Sequence, residues 1–301
     1  MPPKKELSIL IPCYNCQCVE LVKGLVTQCE DIEGLRYEVI VADDGSTDKH
    51  LCLLNEELLD LEHVRYITRE KNIGRACIRN FLVQQATYKW VLFVDSDMSI
   101  IREDYILSYI QLDSTFLVAY GGYEVENENI TNLRYLYEKD AAPKHTMEQR
   151  KLHPYHHLHT ANLMMKRTTA LTYPFDERFK RYGFEDVLLG KRLQKHNVCI
   201  AQINNPLLFD HFETNDSYME KTEEALQTLY TFRNELSGFS SLLTLNYHLR
   251  RWGLHYLILF IFQQKRRKWR TILCGEKPNL KLYMIYKLAY FISLSSEVHQ
   301  D

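Results

Sequence analysis

Four short apolar runs, at residues 7–12, 37–42, 64–68 and 89–94, constrain this chain more than any other feature. Segments of helical spacing at 19–29, 51–61 and 74–87 separate them. Strand, helix and strand at this period form a crossover unit, and successive units build a mainly parallel sheet. Pro12 closes the first run. The second stops at Asp43-Asp44-Gly45-Ser46-Thr47-Asp48, a dense turn signal in which Thr47 or Asp48 can cap the next helix. Ligands of open α/β sheets collect beyond the carboxyl ends of strands. The residues found there are therefore the first candidates for chemistry.

Past residue 97 the order changes. A helix is expected at 104–113, a strand at 116–121 and a polar loop at 125–132. Residues 133–160 show no clean periodicity. A strand at 163–166, a helix at 184–196, a late strand at 198–203 and a helix at 218–236 follow. With 46% hydrophobic and 25% charged residues the chain reads as an ordinary folded protein with a large core. Eight cysteines are scattered, and Met1-Pro-Pro-Lys-Lys-Glu6 runs into the first strand without an apolar leader. Free thiols in a reducing cytoplasm are expected. Cys13, Cys16 and Cys18 lack the second Cys or His pair that a structural zinc site needs.

Six groups of residues could carry chemistry. Asp95-Ser96-Asp97 ends the strand at 89–94 with two hard oxygen ligands, which suit a divalent cation that keeps waters and holds phosphates. Asp44 lies beside Gly45 at another strand end, where a carboxylate could accept the N–H of a pyrimidine base or simply make a turn. Arg75 and Arg79 share one helix face, suited to phosphate or base groups or to solvent. Glu185 and Asp186 open a later helix, where carboxylates complement the helix dipole and where a catalytic base could also project. His211 follows a strand next to Asp210. The cluster His153, His156, His157 and His159 is a further candidate lining for a second substrate.

Taken in order, these motifs resemble family 2 glycosyltransferases of the GT-A fold. The matching residues are Ile11-Pro12-Cys13-Tyr14-Asn15, Asp43 to Asp48, Asn72 to Asn80, Asp95-Ser96-Asp97, Glu185-Asp186 and His211. The resemblance covers residues 7 to about 213. It implies a Rossmann-like, mainly parallel central sheet flanked by helices, and an inverting sugar transfer from a nucleotide diphosphate to a hydroxyl. It places Pro12, Tyr14, Asn15, Asp44, Arg75, Arg79, Asp95, Ser96 and Asn162 on the nucleotide or donor sugar. Asp97 and His211 would hold Mn²⁺ or Mg²⁺ on the diphosphate. Asp186 would deprotonate the acceptor, supported by Glu185. The implied donor is a UDP-sugar and the implied acceptor a glycan or lipid-linked chain, with no nucleic acid involved. Residues 1–215 would form the catalytic domain, with a nucleotide-binding half at about 1–98 and an acceptor half at about 99–215. Phe184 departs from the family, which usually has a small residue there.

Residues 216–301 lie outside the motifs and form a helical C-terminal region. From 246 to 288 there are ten Lys or Arg and one acid, Glu276, so this stretch is +9 while the rest of the chain is −11. Its apolar runs at 252–262 and 282–294 are shorter than the ~20 residues that span a bilayer. Apolar, aromatic and cationic residues in this mix suit a helix lying on an anionic membrane, or else a packed subdomain. The expected location is the cytoplasm, with a peripheral seat on the inner face of the membrane.

Rival readings fail on position. A haloacid dehalogenase-type phosphohydrolase carries Asp-x-Asp after its first strand, whereas here three strands precede it. A pyrophosphorylase needs a Gly-rich basic loop where Pro12-Cys-Tyr-Asn-Cys16 stands. A non-catalytic nucleotide-sugar binder is the remaining alternative, and it would have no use for a base at Asp186.

Overall fold

A computed structural model describes residues 4–126 and 129–297. Residues 1–3, 127–128, which fall within the expected loop at 125–132, and 298–301 lie outside the described residues. The chain divides into two compact units. Unit 1 holds Met1–Glu126, Lys144–Lys180 and Glu185–His211; unit 2 holds Asn127–Pro143, Arg181–Phe184 and Phe212–Asp301.

Unit 1 is built on a seven-stranded sheet. Its strands are β1 (Glu6–Cys13), β2 (Arg36–Asp43), β3 (Val64–Thr68), β4 (Trp90–Val94), β6 (Val118–Tyr120), β8 (Asn162–Lys166) and β9 (Ile200–Gln202), in the order β3-β2-β1-β4-β8-β6-β9. β8 alone runs antiparallel to its neighbours β4 and β6. The other pairings in this sheet are parallel. Near-continuous apolar runs such as Leu7 to Ile11 and Val91 to Val94 are buried, as strands covered on both faces must be. The polar exception, Ser8, is fully buried but donates to Glu38 (2.7 Å) and accepts from the Tyr88 N–H (3.1 Å).

The helices of unit 1 are α1 (Val19–Glu30), α2 (Lys49–Asn55), α3 (Arg75–Gln85), α4 (Tyr105–Ile110), α6 (Met147–Leu152), α7 (Arg167–Thr172) and α8 (Glu185–Lys195). Asp48 caps α2, accepting from the His50 and Leu51 N–H groups. The helical spacing at 51–61 breaks at Asn55, and Glu56–Asp60 continues as a 3₁₀ turn. A small second sheet was not expected: β5 (Met98–Ser99), β7 (Tyr123–Val125) and β10 (Leu207–Phe209), in the order β5-β10-β7. Strands of two or three residues leave no period in the sequence. The aperiodic stretch 133–160 also contains two short helices, one of them α6.

Unit 2 is helical, with α5 (Leu133–Ala141), α9 (Asn215–Thr231), α10 (Ser241–Arg251), α11 (Leu254–Cys274) and α12 (Leu280–Glu297). Asn132 caps α5 through the Tyr135 N–H (2.9 Å), and its amide donates to the Glu213 carbonyl (2.7 Å). The buried hydroxyls of Tyr218, Thr222 and Tyr283 satisfy one another between α9 and α12.

Candidate active site

The strand order of the large sheet reverses at β1, whose neighbours are β2 on one side and β4 on the other. Such a switch point opens a crevice beyond the strand ends. Leu10 lies opposite Phe93, so Tyr14 and Asn15 leave β1 beside the point where Asp95, Ser96 and Asp97 leave β4. A contact from the Cys16 thiol to the Ser96 carbonyl (3.4 Å) ties the two loops together.

The turn after β2 supplies the floor. Gly45 has φ +73°, and a Cβ there would stand 2.6 Å from the Asn72 backbone nitrogen, so the turn must lie directly on the loop before α3. Asp44 grips that loop, accepting from the Ile73 (2.9 Å) and Gly74 (3.0 Å) N–H groups. Burial pushes the Asp44 carboxyl up, against the pull of those two hydrogen bonds. Each Asp44 oxygen can accept one further hydrogen bond. Asn15, in the left-handed region at φ +47°, accepts from the Thr47 (2.8 Å) and Asp48 (3.0 Å) N–H groups. Its amide donates to Thr47 Oγ1. Its side chain thus staples β1 to the turn, which leaves the exposed ring of Tyr14 at the crevice mouth. Pro12, half-buried, sits opposite Ala42 in the sheet.

Arg75 and Arg79 lie one turn apart on α3, and carboxylates engage both guanidinium groups. With Asp95 and Glu185 they form a closed quartet. Arg79 donates to Asp95 (2.6 Å) and Glu185 (3.1 Å); Arg75 donates to Glu185 (2.9 Å) and Asp95 (3.2 Å). The Arg79 side chain is 1% exposed and that of Glu185 is 4%, against 41% for Arg75. Burial pushes Asp95 up, but the two guanidinium charges outweigh it and hold the carboxyl below its usual range. The quartet fastens the start of α8 to the end of β4.

Gly183 (φ +94°) and Phe184 (φ +71°) lead into α8. Two successive left-handed residues turn the chain sharply, so that Glu185 and Asp186 become the first helical residues. A residue without a bulky side chain adopts this conformation more readily, and Phe184 is the strained member of the pair. Asp186 lies 3.3 Å from Nδ1 of His159 and accepts from the Val187 N–H (2.7 Å). Burial raises its carboxyl, and the His159 hydrogen bond and charge, the Val187 N–H and Arg75 together bring it below the usual range. Nothing in the sequence pairs His159 with Asp186; its membership of a histidine cluster is the one signal. His159 also packs against Tyr123 and His145, and burial lowers His145 to about 3. His145, 14 residues before His159 in the chain, is outside the cluster that the sequence suggests.

Two expected site residues lie close by backbone pairing. Phe209 pairs with Met98, antiparallel, so Asp97 and His211 leave the same end of the β5–β10 pair. His211 is largely exposed, and Asp97 is half-buried. Among the described residues no three His, Cys, Asp or Glu side chains converge on a metal-sized site. One carboxylate and one imidazole do fit a cation that completes its shell with water and phosphate oxygens. They do not form a closed protein cage.

Asn162 requires a correction. It is fully buried, accepts from the Tyr105 (2.6 Å) and Tyr109 (2.7 Å) hydroxyls, and donates to the Gly122 (2.7 Å) and Asn205 (2.8 Å) carbonyls. With its polar atoms engaged inside the core, it lines no donor pocket. It locks β8 to the neighbouring loops.

A family model described as glycosyl transferase family 2 matches residues 8–171, more than half of the chain. The chain is 39% identical over 95 residues to poly(ribitol-phosphate) beta-glucosyltransferase of Bacillus spizizenii, covering 31% of this chain and 15% of that protein. The first curated relatives are matched over 13–36% of their own lengths, so the chain spans only a minor part of each. Staphylococcus aureus TarS residues 1–349, solved in complex with UDP-GlcNAc, superimposes with a TM-score of 0.54 at 19% identity, covering 98% of this chain and 92% of that one. A mannosyltransferase from Pyrobaculum calidifontis, in complex with GDP-Man and Mn²⁺, gives 0.52 at 13% identity, covering 79% and 68%. These likenesses establish the shared GT-A fold.

Proposed function

The chain belongs to glycosyl transferase family 2, and from that premise we propose that it moves a sugar from a nucleotide diphosphate to a hydroxyl of a glycan or lipid-linked acceptor, with inversion. The observation that carries this reading is the Asp186 carboxylate at the start of α8, held by His159 and tied through the Glu185–arginine–Asp95 quartet to the donor edge of the sheet.

Each residue then has a task. Tyr14 and Pro12 offer a surface for the base, and Asp44 accepts a base N–H on a remaining lone pair. A UDP-sugar is the donor of choice, as in the TarS complex. Asp95 and Ser96 border the ribose and Asp97 the diphosphate. Asp97 and His211 would hold Mn²⁺ or Mg²⁺. When bound, such an ion neutralises charge on the departing diphosphate. Asp186, ionised at neutral pH, takes the proton of the acceptor hydroxyl as its oxygen attacks the anomeric carbon opposite the diphosphate. The bond to the diphosphate breaks as the new glycosidic bond forms, and nucleoside diphosphate leaves. His159 is a positioning residue that aims the Asp186 carboxylate. Work on a lipid-linked acceptor would place the protein on the inner face of a membrane.

The test is a screen of nucleotide sugars with Mn²⁺, following nucleotide release, and then NMR of the anomeric configuration of the product. An inverted anomer supports the reading. A retained anomer contradicts Asp186 as base. Donor binding with no release for any acceptor tried favours the non-catalytic binder.

A further inference from the structure

Unit 2 presents one helix face that its own packing does not use. α11 buries only Phe262 and Leu273, three turns apart on one side. On the adjacent side, roughly 100° round the helix from them, runs a second stripe, Leu254, Leu257, Ile261, Lys265 and Lys268, at helical spacings of three and four. Tyr256 (71% exposed), Phe260 (63%) and Leu257 (58%) stand out from the first half of the helix, and Trp252 (68%) precedes it. Lys265, Arg267 and Lys268 are exposed along the second half. One outward face is therefore apolar and aromatic at its start and cationic at its end.

The basic excess read from the sequence is not all available to a partner. Arg270 pairs with Asp216 (2.8 Å), Arg266 lies over the rings of Phe262 and Tyr290, and Lys287 sits over Tyr137. These three belong to the packing of unit 2. Among the described residues, Lys265, Arg267 and Lys268 on α11, with Arg251 just before it, are exposed and form no ion pair.

We propose that this face of α11 docks on the surface of an anionic lipid bilayer, with Trp252, Leu257 and Ile261 in the headgroup region and the cations on lipid phosphates. Charge complementarity decides the occupant. No acid occurs between 246 and 275, so the same face of a second copy would bring no counter-charge to the cations. A bilayer supplies both an apolar layer and a dense anionic surface. The helix lies on the membrane instead of crossing it. Its apolar first half, 254–263, is about 15 Å long, half the ~30 Å of a hydrocarbon core. Among the described residues no helix is long and apolar enough to span. The inference stands apart from the catalytic proposal, because it concerns unit 2 alone.

The experiment is co-sedimentation of the full chain with vesicles of phosphatidylcholine alone or mixed with phosphatidylglycerol, at low and high salt. Binding should require the anionic lipid and weaken with salt. Each cation at such a surface contributes roughly fivefold, so the double variant Lys265→Glu/Lys268→Glu should lose at least about thirtyfold. Leu257→Asp/Ile261→Asp, on the same face, should also lose binding, and Trp252 fluorescence should shift to the blue only with anionic vesicles. Circular dichroism checks that both variants fold. No sedimentation with anionic vesicles at low salt, or equal binding by both variants, overturns the proposal. A concentration-dependent dimer abolished by Ile261→Asp, with no vesicle binding, gives the face to a second copy and overturns it as well.

Discussion

Replacing Arg79 by Met tests the quartet, because the two arginines differ in burial while sharing the same partners. Arg79 is buried and bridges Asp95 at 2.6 Å and Glu185 at 3.1 Å. Met keeps much of the volume, so the loss is mainly electrostatic. Removing one partner from a buried ion pair costs roughly 3–5 kcal/mol, since the other charges stay buried without it. Arg75 makes the matching contacts but is 41% exposed, and water screens what remains. Its replacement by Met should cost about 1 kcal/mol or less. Urea denaturation followed by Trp90, in a Trp252→Phe/Trp269→Phe background, reports unit 1, because Trp90 is buried on β4. With a urea slope of about 3 kcal/mol/M, Arg79→Met should lower the midpoint by at least about 1 M, and Arg75→Met by a third of that or less. The gap should narrow at low pH. Asp95 is held below its usual range, so its share of stability is present above about 3.9 and is lost as pH falls through its lower folded value. Equal shifts for the two variants would refute the claim that burial makes Arg79 the keystone.

Other outcomes follow from the same contacts. Asn162→Ala orphans the buried Tyr105 hydroxyl and the Asn205 carbonyl, at roughly 1–3 kcal/mol per orphaned group, whereas the Tyr109 hydroxyl keeps the carbonyl of residue 162 and the Gly122 carbonyl keeps the Leu207 N–H. It should lower the urea midpoint of unit 1 by about 1 M while leaving the donor Kd of the folded protein unchanged; a lost donor site in a stable protein would restore Asn162 to the pocket. Asp186 is held below its usual range, so the acid limb of kcat should fall below about 3.9, with activity full above it. His159→Ala removes the main downward influence and leaves burial, so the limb should move up, kcat should fall about tenfold or more, and KM for the donor should hardly change. His159→Gln, which can still donate, should recover part of the loss; a pure stability defect would leave the pH profile in place.

Much of the fold was legible because parallel strands must be apolar throughout. The runs at 7–12, 37–42, 64–68 and 89–94 lie within or one residue of β1 to β4. The short strands β5, β7 and β10 are held by pairing that no local pattern announces. Within the site, the order of motifs located the strand ends and the start of α8, but partner choice was hidden. Arg75 and Arg79 read as suited to phosphate or base groups or to solvent, because i, i+4 spacing says only that two charges share a face. What they meet, Asp95 and Glu185, is brought from 16 to 110 residues away by the sheet. The His159–Asp186 pair was invisible for the same reason. Asn162 was placed on the donor by the resemblance alone, and a matching position does not say where a side chain's hydrogen bonds go.

The central claim is that donor holding and proton removal are separate duties, placed on the β4 end and on Asp186. Calorimetry of UDP-sugar binding with Mn²⁺, paired with transfer assays on Asp186→Asn and Asp97→Ala, tests it most directly. The account predicts that Asp186→Asn binds the donor within about twofold of wild type and loses at least about 10²-fold in transfer, whereas Asp97→Ala loses Mn²⁺-dependent donor binding. Normal transfer by Asp186→Asn would contradict it.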